Sequence, residues 1–476
     1  MANTRDIWGR ILKTSALYIF GTVVAKLVTF LLLPIYTHQI STDEYGVYDM
    51  VIAYAAIIVP LVGVNCWQGM LRFAVEEKED RKQHFIIQHG WAMLFLSLLA
   101  LTILYIISCY IFNFSNKLLI YLFFSCQLIQ YFYLYSARGF KKNKVYALSG
   151  IISAFVVAIV SIVCIYGIKL KLEALYISSI ASLLAQAIYM ESHLHLLSDI
   201  KFNGFDKDLL KRLYKFCVPE SIGTIFNWLL NSANRLIIVA VLGLSANGIY
   251  AISNKFVSIL SVFMTAFILS FQEVIYSAGK EETDTIGNEV INKYLTGAGL
   301  VVSLILIITS IIYPLFVAGD YVEGYSLIPL FYLYFFVSGI TWIESSIVSA
   351  TKQTQLTLYE KIIIGIINFA TIWILIKQIG LYSSPIALFI AELSGIFIFI
   401  RLLKIKANCL IKIPYKKLIF DLLIIGVASV VFLFNNLVVN ICFGLTIITV
   451  TLFVFREKLN TVIELAKGKF KNNVTH

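Results

Sequence analysis

Apolar stretches close to the length that crosses a lipid bilayer follow one another along almost the whole chain. They lie at 14–38, 46–70, 85–112, 118–137, 145–168, 174–196 and 219–242, then at 247–272, 294–318, 325–348, 358–377, 383–403, 418–434 and 437–455. Most approach the ~20 residues a helix needs to span hydrocarbon, and the links between them are short. A backbone in hydrocarbon must satisfy its own hydrogen bonds, which leaves only helices or a closed barrel. Barrel strands would be about ten residues long and alternate in polarity, and these runs do neither. The expectation is an all-α polytopic membrane protein of about fourteen transmembrane helices. With 14% charged residues and 59% hydrophobic ones, the chain departs from the roughly 25% charge of soluble domains.

Positive charge fixes the expected orientation. The chain holds 38 Lys and Arg and a formal charge of +11. With the N-terminus inside, the outer loops carry only Lys117, Lys169, Lys171 and Lys377. Three cations, Lys26, Arg235 and Lys255, fall within apolar runs, and all others fall on inner segments or the tail. That bias is the positive-inside signature and predicts N-in, C-in topology. It also accounts for the net charge as lipid-surface anchoring, so nucleic acid is excluded as a partner and membrane lipids are implied. The basic start, MANTRDIWGRILKTSALYIF, lacks an A-x-A site and reads as a retained first helix. Seven scattered cysteines form no CxxC pair, so neither a metal site nor a disulfide framework is expected. No motif implies a cofactor.

The chain spells one hairpin twice. LLLPIYTHQISTDEYGVYDM (31–50) and IIVAVLGLSANGIYAISNK (237–255) align when Gly46 is placed over Gly248, an offset of 202 residues. A weaker match links 145–185 to 357–395. Such an offset spans six helices, an even number, so both halves enter the membrane in the same direction. The expected organisation is an N-lobe at 1–200, a cytoplasmic amphipathic linker at 201–216, a C-lobe at 217–406, and two further helices with a basic tail at 407–476. Parallel lobes of this kind commonly enclose a site between them and work by alternating access.

Embedded charges are expensive and normally serve a cavity or a partner. Lys26 and Lys255 fall on paired helices of opposite lobes, the first span and the eighth, Arg235 precedes Lys255 by one helix, and Arg72 closes the second span. These four are the candidate cationic, substrate-binding residues, with Arg best suited to phosphate because its fork binds two oxygens. Glu344 and Glu392, embedded in TWIESSIV and FIAELSGI, are candidate ion-coupling residues. Asp49 is a further acid at a span end. His84, His89, His193 and His195 read as interface residues. Asp206-Lys207-Asp208 has the DxD form of a nucleotide-sugar site but sits in what reads as a surface helix. Neither GxxxxGK[ST] nor HExxH occurs, so ATP hydrolysis and zinc proteolysis find no motif.

LLLPIYTHQISTDEYGVYDM resembles the first hairpin of bacterial polysaccharide and O-antigen (Wzx-type) flippases of the multidrug/oligosaccharidyl-lipid/polysaccharide (MOP) exporter superfamily. VPESIGTIFNWLLNSANRLIIVAVLGLSANGIYAISNKF is similar to the family's seventh and eighth helices. AGDYVEGYSLIPL and IGLYSSPIALFIAE share its late-helix look. The resemblance implies a fourteen-helix, two-lobed carrier in the bacterial inner (plasma) membrane, not an enzyme. It would move undecaprenyl-pyrophosphate-linked oligosaccharide to the outer leaflet for capsule, O-antigen or exopolysaccharide, alongside glycosyltransferases and a polysaccharide polymerase. Arg235 and Arg72 then stand at the family's arginines in the seventh and second helices. Asn234 stands where many members have an acid. Tyr36, Tyr131, Tyr133, Tyr135, Tyr332 and Tyr334 offer rings for sugars.

Three rival readings make different demands. A MATE-like drug or metabolite antiporter has about twelve helices and needs cavity acids for cationic drugs. A lipid-linked glycan polymerase or ligase needs a large external loop, which this chain lacks. A structural scaffold would tolerate loss of its embedded charges.

Overall fold

The computed structural model describes residues 23–77, 79–111, 115–199, 206–277, 280–350, 354–402, 404–405 and 411–453. Among them there is no strand. The helices are α1 Val23–Gln39, α2 Thr42–Val62, α3 Cys66–Glu76, α4 Asp80–Ile111, α5 Lys117–Gly139, α6 Asn143–Ile162 and α7 Leu172–Leu194. They continue as α8 Lys207–Leu242, α9 Leu244–Ser277, α10 Lys280–Phe316, α11 Ile328–Ala350, α12 Thr354–Ile379, α13 Ser383–Leu402 and α14 Tyr415–Leu433, ending with α15 Leu437–Phe453. Within the described residues, each apolar run of the sequence falls on helical segments. Among the described residues, 8 helical stretches are long and apolar enough to cross a membrane, with shorter apolar helices beside them. The protein is a multi-pass, all-α membrane protein. The start of the first run and the basic tail lie outside the described residues.

The second run is broken where a single helix was expected. Pro60 lies in the last turn of α2 and removes one amide donor from its ladder. Val64 and Asn65 then take positive φ angles of 48° and 45°. Asn tolerates that region, whereas a β-branched residue there is strained. Asn65 Nδ2 donates to Thr224 Oγ1 at 2.8 Å, which ties the break to α8. The linker expectation also changes. Residues 201–205 lie outside the described set, and from Lys207 the amphipathic segment runs on without a break through Pro219 to Leu242 as one helix of 36 residues.

Two compact units emerge. The first comprises residues 1–255 and 318–321, the second 256–317 and 322–476. In the first, α5 and α6 both pack on α7, and α3 packs on α5. Trp91 and Phe132 meet at 4.5 Å between ring centres, and the Trp91 indole donates to the Leu196 carbonyl at 3.2 Å. In the second, α10 packs on α14, and α13 packs on α11 and α12. Phe336, Ile340, Ile343 and Ile347 bury one face of α11.

The repeated hairpin gains a structural meaning inside the first unit. Ser41 and Glu44 of STDE form a reciprocal capping box that starts α2. The opening turns of α2 and α9 then cross with their backbones touching. A β-carbon on Gly46 would land on the Leu244 carbonyl, and one on Gly248 would land on the Thr42 carbonyl. Thr42 and Leu244 are related by the same offset as the two glycines, so the contact maps onto itself when the repeats exchange places. Thr42 Oγ1 and Ser245 Oγ lie 2.6 Å apart, and Asn247 donates to the Gly46 carbonyl at 3.1 Å. Only glycine permits this approach.

Candidate functional site

Immediately beside that crossing sits a buried group of charges. Asp49 projects from α2 one turn after Gly46. Its Oδ2 lies 3.0 Å from Arg235 Nε of α8 and accepts from Asn247 Nδ2 of α9 at 3.2 Å. Lys255, two turns further along α9, interacts electrostatically with both Asp49 and Arg235. Its Nζ lies 5.0 Å from the centre of the Tyr45 ring and 5.8 Å from that of Tyr36, a cation–π arrangement on two faces. The rings are themselves fixed. Tyr36 OH is 2.9 Å from Ser161 Oγ. Tyr45 packs edge-on against Tyr321, whose hydroxyl donates to the Ser41 carbonyl at 2.8 Å.

Of the four candidate cations, the structure brings two together. Arg235 and Lys255 share this cluster, and Arg235 is held by a carboxylate from another helix. Asn234 supplies no acid, so Asp49 supplies the one that Arg235 uses. Lys26 lies half-buried on α1. Arg72 is elsewhere, in a cavity of about 460 Å³ lined also by Gln68, Arg138, Lys141 and Asn143. There Arg138 lies over the Tyr135 ring at 5.3 Å, and Gln68 donates to Tyr135 OH at 3.2 Å. Among the tyrosines named for stacking, several are already engaged. Tyr332 is fully buried and 2.7 Å from Thr309, and Tyr133 donates to Glu191 at 3.0 Å. Tyr131 and Tyr135 flank Trp67 at 4.8 Å and 6.3 Å.

The acids of the second unit form a separate group. Glu344 of α11 is wholly buried, Glu392 of α13 is half-buried, and a third carboxylate, Glu360 of α12, is buried between them in sequence. Thr341 donates to Glu392 Oε2 at 2.8 Å and Ser345 to Glu360 Oε2 at 3.1 Å. Glu360 escaped sequence reading because Lys361 beside it marks an inner helix end. The structure leaves Lys361 exposed and turns Glu360 inward.

The remaining polar motifs have structural roles. The DxD segment is a helix cap: Asp206 Oδ1 accepts from the amides of Asp208 and Leu209 at 2.8 and 3.2 Å, holding its carboxyl below the usual range. His89 bridges helix ends, Nδ1 lying 2.7 Å from the Phe85 carbonyl and Nε2 accepting from the Asp206 amide at 2.8 Å. Among the described residues no three of His, Cys, Asp or Glu converge to hold a metal ion.

The family described as "Polysaccharide biosynthesis protein" matches residues 11–276. No curated protein sequence matches. Among solved structures, "Lipid II flippase MurJ, inward closed conformation" superimposes with a TM-score of 0.71 at 13% identity, covering 94% of this chain and 100% of that one. An inward-facing multidrug resistance MATE family transporter of the MOP superfamily gives 0.64 at 12% identity, covering 80% and 96%. An outward-facing one gives 0.58 at 12%, covering 82% and 94%. At these identities the likeness is one of fold.

Proposed function

Because this chain belongs to the polysaccharide biosynthesis protein family and has the fold of MOP-superfamily transporters, we propose that it is a flippase for lipid-linked oligosaccharide. Its cargo is an undecaprenyl-pyrophosphate-linked repeat unit, carried from the inner to the outer leaflet of the bacterial cell membrane. A glycan taken bare through hydrocarbon leaves every hydroxyl unsatisfied, at several kcal/mol each. A carrier lined with cations, amides and rings replaces the lost hydration while the lipid tail stays in the bilayer.

The observation that carries the cargo assignment is the balance at Asp49. Two cations, Arg235 and Lys255, stand with one carboxylate in that cluster. The excess is positive, which suits a pyrophosphate and repels a cationic drug. Arg72, Arg138 and Lys141 add a second positively lined cavity, and Lys26 a further embedded cation. Alternating access is supported by the repeat and by the occurrence of this fold in inward-facing and outward-facing forms. The glycine crossing, with Thr42 and Ser245 in contact across it, is the element that opens and closes in this reading.

The antiporter reading keeps one observation in its favour, the MATE-like fold. Reconstitution separates the two. Proteoliposomes containing the protein are given a fluorescent pyrophosphate-linked oligosaccharide and, in parallel, ethidium. The flippase reading expects the oligosaccharide to become accessible on the opposite leaflet, and Arg235→Ala or Lys26→Ala to abolish this with the protein still in the membrane. Movement of ethidium without the oligosaccharide overturns it.

A further inference from the structure

We propose that Glu344, Glu360 and Glu392 together form a proton-binding site within the second unit, with Glu344 its protonated member. As a source of drive for transport it deepens the flippase reading; as a site it stands on its own observations.

The three carboxylates come from three packed helices and interact electrostatically: Glu360 and Glu392 act on Glu344, and Glu392 acts on Glu360. Carboxylates that interact away from water do not all ionise, because each anion adds repulsion to a desolvation penalty of several kcal/mol. The hydroxyls nearby divide the three unequally. On α11, residues 341, 344 and 345 fall on one face. Thr341 donates to Glu392 and Ser345 to Glu360, which stabilises those two as anions. Glu344 has no exposure, and neither of its oxygens finds a donor among the described residues. Glu360 Oε1 also has no partner among the described residues. One proton on Glu344 turns one of its two orphaned acceptors into a donor and removes the buried negative charge. An unpaired buried acceptor is expensive and a charged one more so, which is why Glu344 is the member that carries the proton.

The surroundings contain little that competes. From α12, Lys361 acts on Glu360 and Glu392 from an exposed position. From α10, Tyr294 donates to the Phe336 carbonyl at 2.8 Å. From α14, Asp421 interacts with Tyr294 and with Lys417. From α9, Gln272 donates to Ser346 Oγ at 3.2 Å. The site exchanges one proton: Glu344 as carboxylic acid releases it to become a carboxylate, raising the local negative charge by one. Neither oxygen of Glu344 meets a donor, and no three metal-ligating side chains converge among the described residues, so the ligand is the proton rather than a metal cation.

The test is infrared difference spectroscopy of the purified full-length protein in lipid nanodiscs, between acidic and alkaline buffer, with no substrate present. The wild type is expected to show the carbonyl stretch of a buried protonated carboxyl that disappears on alkalinisation. Glu344→Gln, whose amide mimics the protonated group, is expected to lose that band. Ser345→Ala, a milder change, is expected to shift it. Replacing sodium by choline at constant pH is expected to leave it in place. A wild type without such a band overturns the proposal, as does a band that survives unchanged in Glu344→Gln, or one displaced by sodium at constant pH. Because no cargo enters the experiment, its failure is distinct from failure of oligosaccharide transport in proteoliposomes.

Discussion

The charges of the two units are handled in opposite ways. In the first, Asp49 is met by Arg235, Asn247 and Lys255, so an acid and its cations hold three helices in register. In the second, Glu344 is buried near two more acids, with both oxygens orphaned among the described residues. A partnered charge is a fastener, and its removal strands the partner. An unpartnered acid is stable only as its neutral form, and its removal strands nothing. On the proposed reading the two regions have different tasks: recognition and closure near the repeat crossing, proton exchange among the acids.

Each side of the contrast has its own consequence. Asp49→Ala leaves Arg235 and Lys255 without the carboxylate and is expected to lower stability by about 3 kcal/mol, read as a drop in unfolding temperature in detergent. An unchanged unfolding temperature would mean that the pair fastens nothing. Gly46→Ala forces two backbones apart and is expected to cost about 1–3 kcal/mol. Conversely, Thr42→Cys with Ser245→Cys should crosslink on oxidation and stop transport reversibly; a pair that never crosslinks would show that the turns do not meet in the membrane. Glu344→Gln is expected to stay within about 1 kcal/mol of wild type, and a large loss there would erase the contrast. The smallest effect belongs to Asp206→Ala, which removes the cap of α8 and should speed amide exchange at Asp208 and Leu209 only. Because the Asp206 carboxyl is held below its ordinary value, wild-type capping is fully present above the usual carboxylate range. It is lost only as pH falls through the lowered value.

Hydropathy alone made the helices legible, and the offset between Gly46 and Gly248 made the repeat legible. Neither revealed that the two glycines touch. Periodicity reports which face of a helix is apolar and how deep a residue lies, but not which helix stands opposite. For the same reason Arg235 was visible as an embedded cation while its partner Asp49 was read only as an acid near a span end. Glu360 shows a different limit. Neighbours on a helix point about 100° apart, so Lys361 can reach water while Glu360 turns inward, and a count of charges at a helix end merges the two. The break at Val64 and Asn65 was hidden because Pro60 and Gly63 both occur within membrane helices.

The flippase account is tested most directly by the charge of the carried head group. In one set of proteoliposomes, the same oligosaccharide is offered on a pyrophosphate-linked polyprenyl lipid and on an uncharged lipid of equal tail length, to wild type and to Lys255→Gln. The account predicts that wild type moves the pyrophosphate-linked form in strong preference, and that Lys255→Gln loses that preference. Equal movement of both lipids by wild type, or an unaltered preference in Lys255→Gln, would contradict it.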